Sequence, residues 1–168
     1  MLGVLFLFLF LSTLSLFYLR WFSPWITTVQ IQRQVEAWME GEKDYKRQYR
    51  FVSLERIPPV VRHAVIAAED GRFYEHFGFD WQEVDKVLDE ARQEGKVPRG
   101  ASTITQQLVK NLFLTTHRSA IRKILEIPLV PVAEIVLPKE RILELYLNVV
   151  EWGPGVYGIE SAARHHYG

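Results

Sequence analysis

Ser102-Thr103-Ile104-Thr105-Gln106-Gln107-Leu108-Val109-Lys110-Asn111-Leu112 is the stretch on which the reading of this chain turns. At 3.6 residues per turn, Ile104, Leu108 and Leu112 fall on one side of a helix, the side that a core would cover. Ser102, Gln106 and Lys110 fall on the other at i, i+4 and i+8, flanked by Thr103, Gln107 and Asn111. A solvated helix face is ordinarily rich in Glu and Lys, whereas this one offers hydroxyls, amides and a single lysine. From Arg99 to Glu126 the chain has five Lys or Arg side chains and one acid. Amides and hydroxyls pair with sugar hydroxyls, and fixed cations hold an anion. The region therefore suits a sugar joined to a phosphate; the plain alternative is a mildly polar exposed helix.

Working outward, 168 residues and 19.7 kDa leave room for one domain with a real core. Residues 1–19 contain no charged side chain and are mostly Leu and Phe. Nineteen helical residues span roughly 28 Å, close to the hydrocarbon thickness of a bilayer. Trp21, Phe22 and Trp25 follow where an interfacial aromatic belt would sit. Neither a basic start nor a small-x-small cleavage site is evident, so the segment reads as an uncleaved anchor. Arg20 after the span, with no Lys or Arg before it, argues weakly for the opposite orientation under the positive-inside rule. Twenty basic and twenty acidic side chains exclude general nucleic-acid binding. With no cysteine, the compartment stays open.

Between anchor and Gln-rich helix, residues 29–40 read as a short amphipathic helix ending at Gly41, and 45–54 as a linker or edge strand. Pro58-Pro59 starts a helix with Val61, Ala64, Val65 and Ala68 as its buried stripe, delivering Glu69-Asp70 at its end. Asp80 and Glu83 form a capping box for a helix running to Gly95. Ser119 caps a helix containing Arg122, Lys123 and Glu126. Pro128 and Pro131 should kink or break it, since each proline removes a backbone donor and clashes with the preceding turn. Residues 139–149 are amphipathic with Ile142, Leu143, Leu145, Tyr146 and Leu147 inward, and a last helix follows Gly158. No sheet is evident, so the fold class is mainly α.

Glu69 and Glu126 stand out as a pair, since two carboxylates around a sugar bond are the usual equipment for glycosyl chemistry. The surrounding wording is more specific. Glu-Asp-x-x-Phe-x-x-His-x-Gly runs over residues 69–78, and Gly-Ala-Ser-Thr-Ile-Thr-Gln-Gln over 100–107, followed by Lys110-Asn111. Arg-Lys-x-x-Glu occupies 122–126, Lys-x-x-Ile-Leu-Glu-x-Tyr-Leu-Asn 139–148, and Gly-Val-Tyr-Gly-Ile-Glu-Ser-Ala-Ala 155–163. Five motifs in this order resemble the peptidoglycan glycosyltransferases of bacterial cell-wall synthesis. That family includes the monofunctional biosynthetic transglycosylases and the N-terminal domains of bifunctional penicillin-binding proteins. A single span with no trailing transpeptidase resembles the monofunctional branch.

The resemblance implies a lysozyme-like helical glycosyltransferase domain at 54–168 behind an anchor at 1–20 and a juxtamembrane linker at 21–53. Glu69 matches the general base that takes the proton of the acceptor 4-hydroxyl, and Glu126 the second essential glutamate. Lys110 and Arg118 match the cations on the donor diphosphate, with Arg122 and Lys123 behind them. Ser102, Gln106 and Asn111 fall in the sugar-phosphate cleft, where the phosphoglycolipid inhibitor moenomycin also binds in this family. No cofactor is required outright; a divalent metal, Mg or Mn, beside Asp70 is the candidate. The implied partners are lipid II, the undecaprenyl-diphosphate-linked glycan chain, the membrane and other cell-wall synthesis proteins, with no nucleic acid. The implied location is the bacterial inner membrane, single-pass, with the domain on the periplasmic face.

His76 reads as a hydrogen-bonded loop fastener, Phe73 as core, and Glu144 and Asn148 as braces of the fold. Family members continue through further helices after the fifth motif. The expectation is therefore a domain incomplete at its C-terminus, with Val156, Ile159, Ala162 and Ala163 left uncovered. Two rival readings stand beside this one. A lysozyme-like lytic muramidase would also be helical and carboxylate-driven but has no use for the cations. An inactive membrane scaffold in a cell-wall complex would not need both glutamates.

Overall fold

The computed structural model describes residues 2–95, 97, 100–117 and 119–168. Its centre is α5 (Ile104–Phe113), the helix predicted from the Gln-rich stretch. Thr103 caps it reciprocally with Gln106: the Thr103 hydroxyl accepts from the Gln106 N–H, and the Gln106 side-chain oxygen accepts from the Thr103 N–H. Ile104, Leu108, Val109 and Leu112 are buried, and α2 (Thr28–Glu40), α6 (Ala120–Val136) and α7 (Lys139–Val149) pack around them. On α7 the whole run of Ile142, Leu143, Leu145, Tyr146 and Leu147 is inward, as its periodicity predicts.

α1 (Leu2–Leu19) has a mean hydropathy of 2.3 and is long and apolar enough to cross a membrane. It packs along α6, with Ser12, Leu16 and Leu19 buried. The Arg20 guanidinium donates to the Val136 carbonyl, so the two helices finish together. α3 (Pro59–Glu69) and α4 (Trp81–Glu94) form the rim above α5, and α8 (Ile159–Tyr167) closes the described chain. The Asp80 and Ser119 caps are made as predicted, and Gly41 and Gly95 end their helices in the left-handed conformation.

Four expectations are corrected. α6 runs unbroken through Pro128 and Pro131. These prolines free the carbonyls of Ile124 and Ile127, two exposed residues, so the lost bonds face outward. On the inner side Leu129, Val130 and Ala133 are packed tightly enough to hold the helix straight through. On α3 only Ile66 is fully buried; Val61 and Val65 are half-buried, and Ala64 and Ala68 are exposed, because α3 lies on the rim rather than over the core. A small sheet exists in the order β1-β3-β2, its strands too short to leave a period-2 signal: β1 (Gln48–Tyr49) pairs parallel with β3 (Val156–Tyr157), and β2 (Glu151–Gly153) antiparallel. Finally, Val156 and Ala162 are already covered, Val156 by its place in the sheet.

Residues 21–53 hold α2 and β1, both packed on the helical body. Thr28 donates to the Leu112 carbonyl at 2.8 Å, and Asn148 accepts from the Val52 N–H and donates to its carbonyl, both at 2.8 Å. Glu144 accepts from the Leu54 N–H at 2.7 Å. Glu144 and Asn148 are thus braces, as read from the sequence.

Candidate active site

Two prolines fix the entry of α3, with Pro58 at the N-cap and Pro59 at the first helical position, and the helix ends at Glu69. The two acids there separate sharply. Asp70 turns inward and is buried, one oxygen accepting from the Ile104 N–H at 3.0 Å and the other bonded to His76 Nε2 at 2.8 Å. It thereby satisfies a free N–H of α5 and locks the end of α3 onto its start. Glu69 stays exposed on the rim. His76 is the fastener predicted, and Phe73 is fully buried. Gly78, which closes the first motif, has φ +82°, and a Cβ there would lie 2.5 Å from Val130 Cγ1 on α6. Its carbonyl accepts from the Thr103 hydroxyl at 2.6 Å. The motif is a clasp that fixes where Glu69 stands.

Glu69 is held from α5. Gln107 Nε2 donates to Glu69 Oε2 at 2.8 Å, and Gln107 Oε1 accepts from the Tyr146 hydroxyl at 3.3 Å. Burial, then the charges of Glu69 and Asp70, raise the Tyr146 pKa well above the ordinary phenol range, so this hydroxyl keeps its proton. A buried donor on one side of the amide leaves only its NH2 to face the carboxylate. Gln107 therefore cannot flip.

The cations lie one turn further along. Lys110 has its pKa lowered, first by burial, then by Arg122 and Lys123, against the opposing charges of Glu126 and Glu69. All five groups are thus electrostatic neighbours. Glu126 is 1 % exposed and pairs with both the Arg122 guanidinium and Lys123 Nζ, the latter at 2.8 Å, while Arg122 Nε donates to the His117 carbonyl at 3.0 Å. The buried carboxylate holds two cations side by side that would otherwise repel. The result is a carboxylate on one rim and a cluster of three cations with one buried counter-charge beyond it.

Beside Glu69 a cavity of about 300 Å³ opens between the end of α3, the start of α4 and residues 100–103. Ser102 is exposed at this turn. Gln106 spends its side-chain oxygen on the cap, and Asn111 is buried with its amide donating to the Gln107 carbonyl at 2.8 Å. The structure therefore brings Glu69, Lys110, Arg122, Lys123 and Glu126 together and turns Gln106 and Asn111 to the upkeep of α5. Arg118 lies outside the described residues. Gln107 and Tyr146 are functional positions that sequence reading passed over, one as a flank and the other as core. The available signal was the lone hydroxyl in the apolar stripe of α7, since a buried tyrosine needs a partner.

Ligating atoms of Asp70, His76 and Asp80 lie within 4.8 Å of one another. Their donors are already spent: Asp70 as above, and Asp80 on a two-pronged contact with Arg72 (2.7 and 3.0 Å) and on the Glu83 N–H at 2.9 Å. Arg72 supplies the positive charge this trio calls for. The set does not fit a resident divalent metal.

The transglycosylase family model matches residues 34–168. A biosynthetic peptidoglycan transglycosylase of Brucella suis biovar 1 is 55% identical over 118 residues, covering 70% of this chain and 52% of its own length. The protein of that name from Laribacter hongkongensis is 43% identical over 89% of this chain and 65% of its own. The one from Ectopseudomonas mendocina is 44% identical over 100% and 69%. The chain thus spans about half to just over two thirds of the length of these relatives. A match over this much of the chain, on a mainly α-helical, lysozyme-like domain whose motifs all converge on one cleft, means that the chain belongs to the transglycosylase family.

Proposed function

We propose that this protein polymerises lipid II into glycan strands, and that Glu69 and the cation cluster divide the work. The observation that supports this is an exposed, hydrogen-bonded carboxylate facing Lys110, Arg122 and Lys123, with Glu126 buried between the latter two. The acceptor is the 4-hydroxyl of the GlcNAc in lipid II, a poor nucleophile until its proton is taken. Glu69 removes that proton as the oxygen attacks the anomeric carbon of the growing chain. The bond from that carbon to the lipid diphosphate breaks, and the diphosphate departs with the electron pair. Lys110, Arg122 and Lys123 hold the charge that develops there. Displacement from the opposite face inverts the carbon and gives the β-1,4 bond. Arg118 joins the cations on the strength of the family motif. No step runs through a metal.

Both substrates are lipid-linked, and α1 is read as the anchor that keeps the domain on the outer face of the bacterial inner membrane, where confinement to a surface raises effective concentration. The test is polymerisation of purified lipid II by the full chain. Wild type yields polymer, and Glu69→Gln, which keeps the shape and the Gln107 contact but cannot take a proton, loses about a hundredfold or more. A Glu69→Gln variant with most of its activity would refute the assignment. Soluble muropeptide release from sacculi, with no polymer from lipid II, would establish the lytic reading instead.

A further inference from the structure

α2 is amphipathic in the wrong sense for a helix on the surface of a protein in water. Its inner side carries Val29, Gln30 and Ala37, all buried, while Ile31, Val35, Trp38 and Met39 lie along its outer side at i, i+4, i+7 and i+8. Trp38 is 80 % exposed and Met39 75 %. Water would select against such a stripe, and nothing else in the fold covers it.

The position of α2 says what does. α1 and α6 run side by side and finish together at the Arg20–Val136 contact, so the start of α6 and the loop before it lie back along the membrane span. α2 is fastened to that loop: Gln32 Nε2 donates to Thr116 Oγ1 and Gln32 Oε1 accepts from the Thr116 N–H, both at 2.8 Å, and Glu36 lies 3.4 Å from His117. The same end of the domain exposes Ile121 and Ile124 on α6. In sequence α2 follows the span by eight residues, through Trp21, Phe22 and Trp25, all exposed. Tryptophan with an apolar body and one N–H donor is the side chain best suited to the boundary between hydrocarbon and headgroups.

We infer that α2 is an in-plane interfacial helix, a second membrane contact whose Ile31–Val35–Trp38–Met39 face sits in the lipid headgroup boundary. The inference rests on the reading of α1 as the anchor. Its consequence is orientation. A single span lets a domain tilt and spin, whereas a span plus an in-plane helix bonded to the loop before Arg122 holds the cation cluster at one height above the bilayer, the height at which a lipid diphosphate lies.

The chain contains no cysteine, so single-cysteine labelling is unambiguous. Spin labels at Val35→Cys and Met39→Cys, at Glu40→Cys on the opposite side of α2, and at Leu11→Cys in α1 would be compared in the full chain in nanodiscs of phosphatidylethanolamine and phosphatidylglycerol. Collision with oxygen reports lipid, and collision with a water-soluble nickel chelate reports water. The expected result is an oxygen-to-nickel ratio several-fold higher at positions 35 and 39 than at 40, with position 11 higher still. Equal ratios at 35, 39 and 40, with position 11 in lipid, would leave the anchor standing and overturn the interfacial helix. A wet position 11 would remove the anchor and this inference with it. Exclusion of both reagents from 35 and 39, with dipolar broadening between labels, would mean that a second copy of the chain covers the face, and would also overturn it.

Discussion

Glu69 must be exposed to meet an acceptor, and an exposed glutamate on a helix end would ordinarily sample many rotamers. Gln107, fixed in turn by Tyr146, removes that freedom. Gln107→Ala should lower kcat for lipid II polymerisation about tenfold while leaving moenomycin affinity near wild type, and should add little to Glu69→Gln, as expected of two groups acting as one unit. Rates of the two single variants and the double variant would check this. Lys110 makes a second prediction, through pH. Its folded pKa lies below the ordinary 10.5, so between those two values the unfolded chain binds more protons and stability rises with pH. Below that window the fold carries a charged lysine at a cost that a bound anion offsets. Lys110→Met should therefore hold or raise thermal stability at neutral pH while weakening moenomycin binding about ten- to a hundredfold, the worth of a charge-assisted contact. Calorimetry and titration on the same preparation separate the two effects. Glu69, Lys110 and Glu126 were legible in the sequence because each sits in a local motif. The Gln107–Tyr146 contact was not, because its partners are 39 residues apart on different helices.

Among the elements, the first motif and α6 show how far local rules reach. The glycine of His-x-Gly was visible as a letter, but its reason is tertiary: a positive φ combined with the flank of α6 pressed against it. Gly78→Ala should cost about 2–4 kcal/mol, from the left-handed backbone and the overpacking against Val130 together. Chemical denaturation would measure the loss. The prolines of α6 are the opposite case, where a sound local rule predicted a break and packing overrode it. Since Pro128 is exposed and its missing bond is to Ile124, Pro128→Ala restores a hydrogen bond without touching the core. It should raise stability by about 1–3 kcal/mol and leave the Glu126 pairs in place. A lower midpoint of unfolding would mean instead that the proline is needed in its present form. The helices themselves, their caps and their inward stripes on α5 and α7 followed from periodicity alone; the rim helix α3 did not, since alternation of Val and Ala looks the same on a rim as over a core.

At the scale of the whole molecule, the domain is closed by a clasp between segments far apart in sequence. β1 pairs parallel with β3, the Tyr45 and Tyr157 hydroxyls meet at 2.9 Å, and Tyr49 donates to the Pro24 carbonyl at 2.8 Å. Asn148 is the pin. It is fully buried, and its amide accepts from the Val52 N–H and donates to the carbonyls of Val52 and Glu144. Sequence reading identified it as a brace but could not name what it braces, because the Val52 strap has no periodic signature of its own. Losing this side chain leaves the N–H and the carbonyl of Val52 buried without partners, at about 1–3 kcal/mol for each group. Asn148→Ala should therefore destabilise the domain by about 2–4 kcal/mol, the lower part of that sum, since water can reach one group once the strap loosens. The effect should spread beyond α7. Residues 48–57 connect the β1–β3 ladder to the start of α3, so a loosened strap lets α3 shift and moves Glu69 away from Gln107. The expected signature is a fall in polymerisation larger than the unfolded fraction accounts for, with faster amide exchange at both Val52 and Glu69. Faster exchange at Val52 alone, with activity falling only in step with the unfolded fraction, would show that the clasp stabilises the fold without placing the catalytic carboxylate.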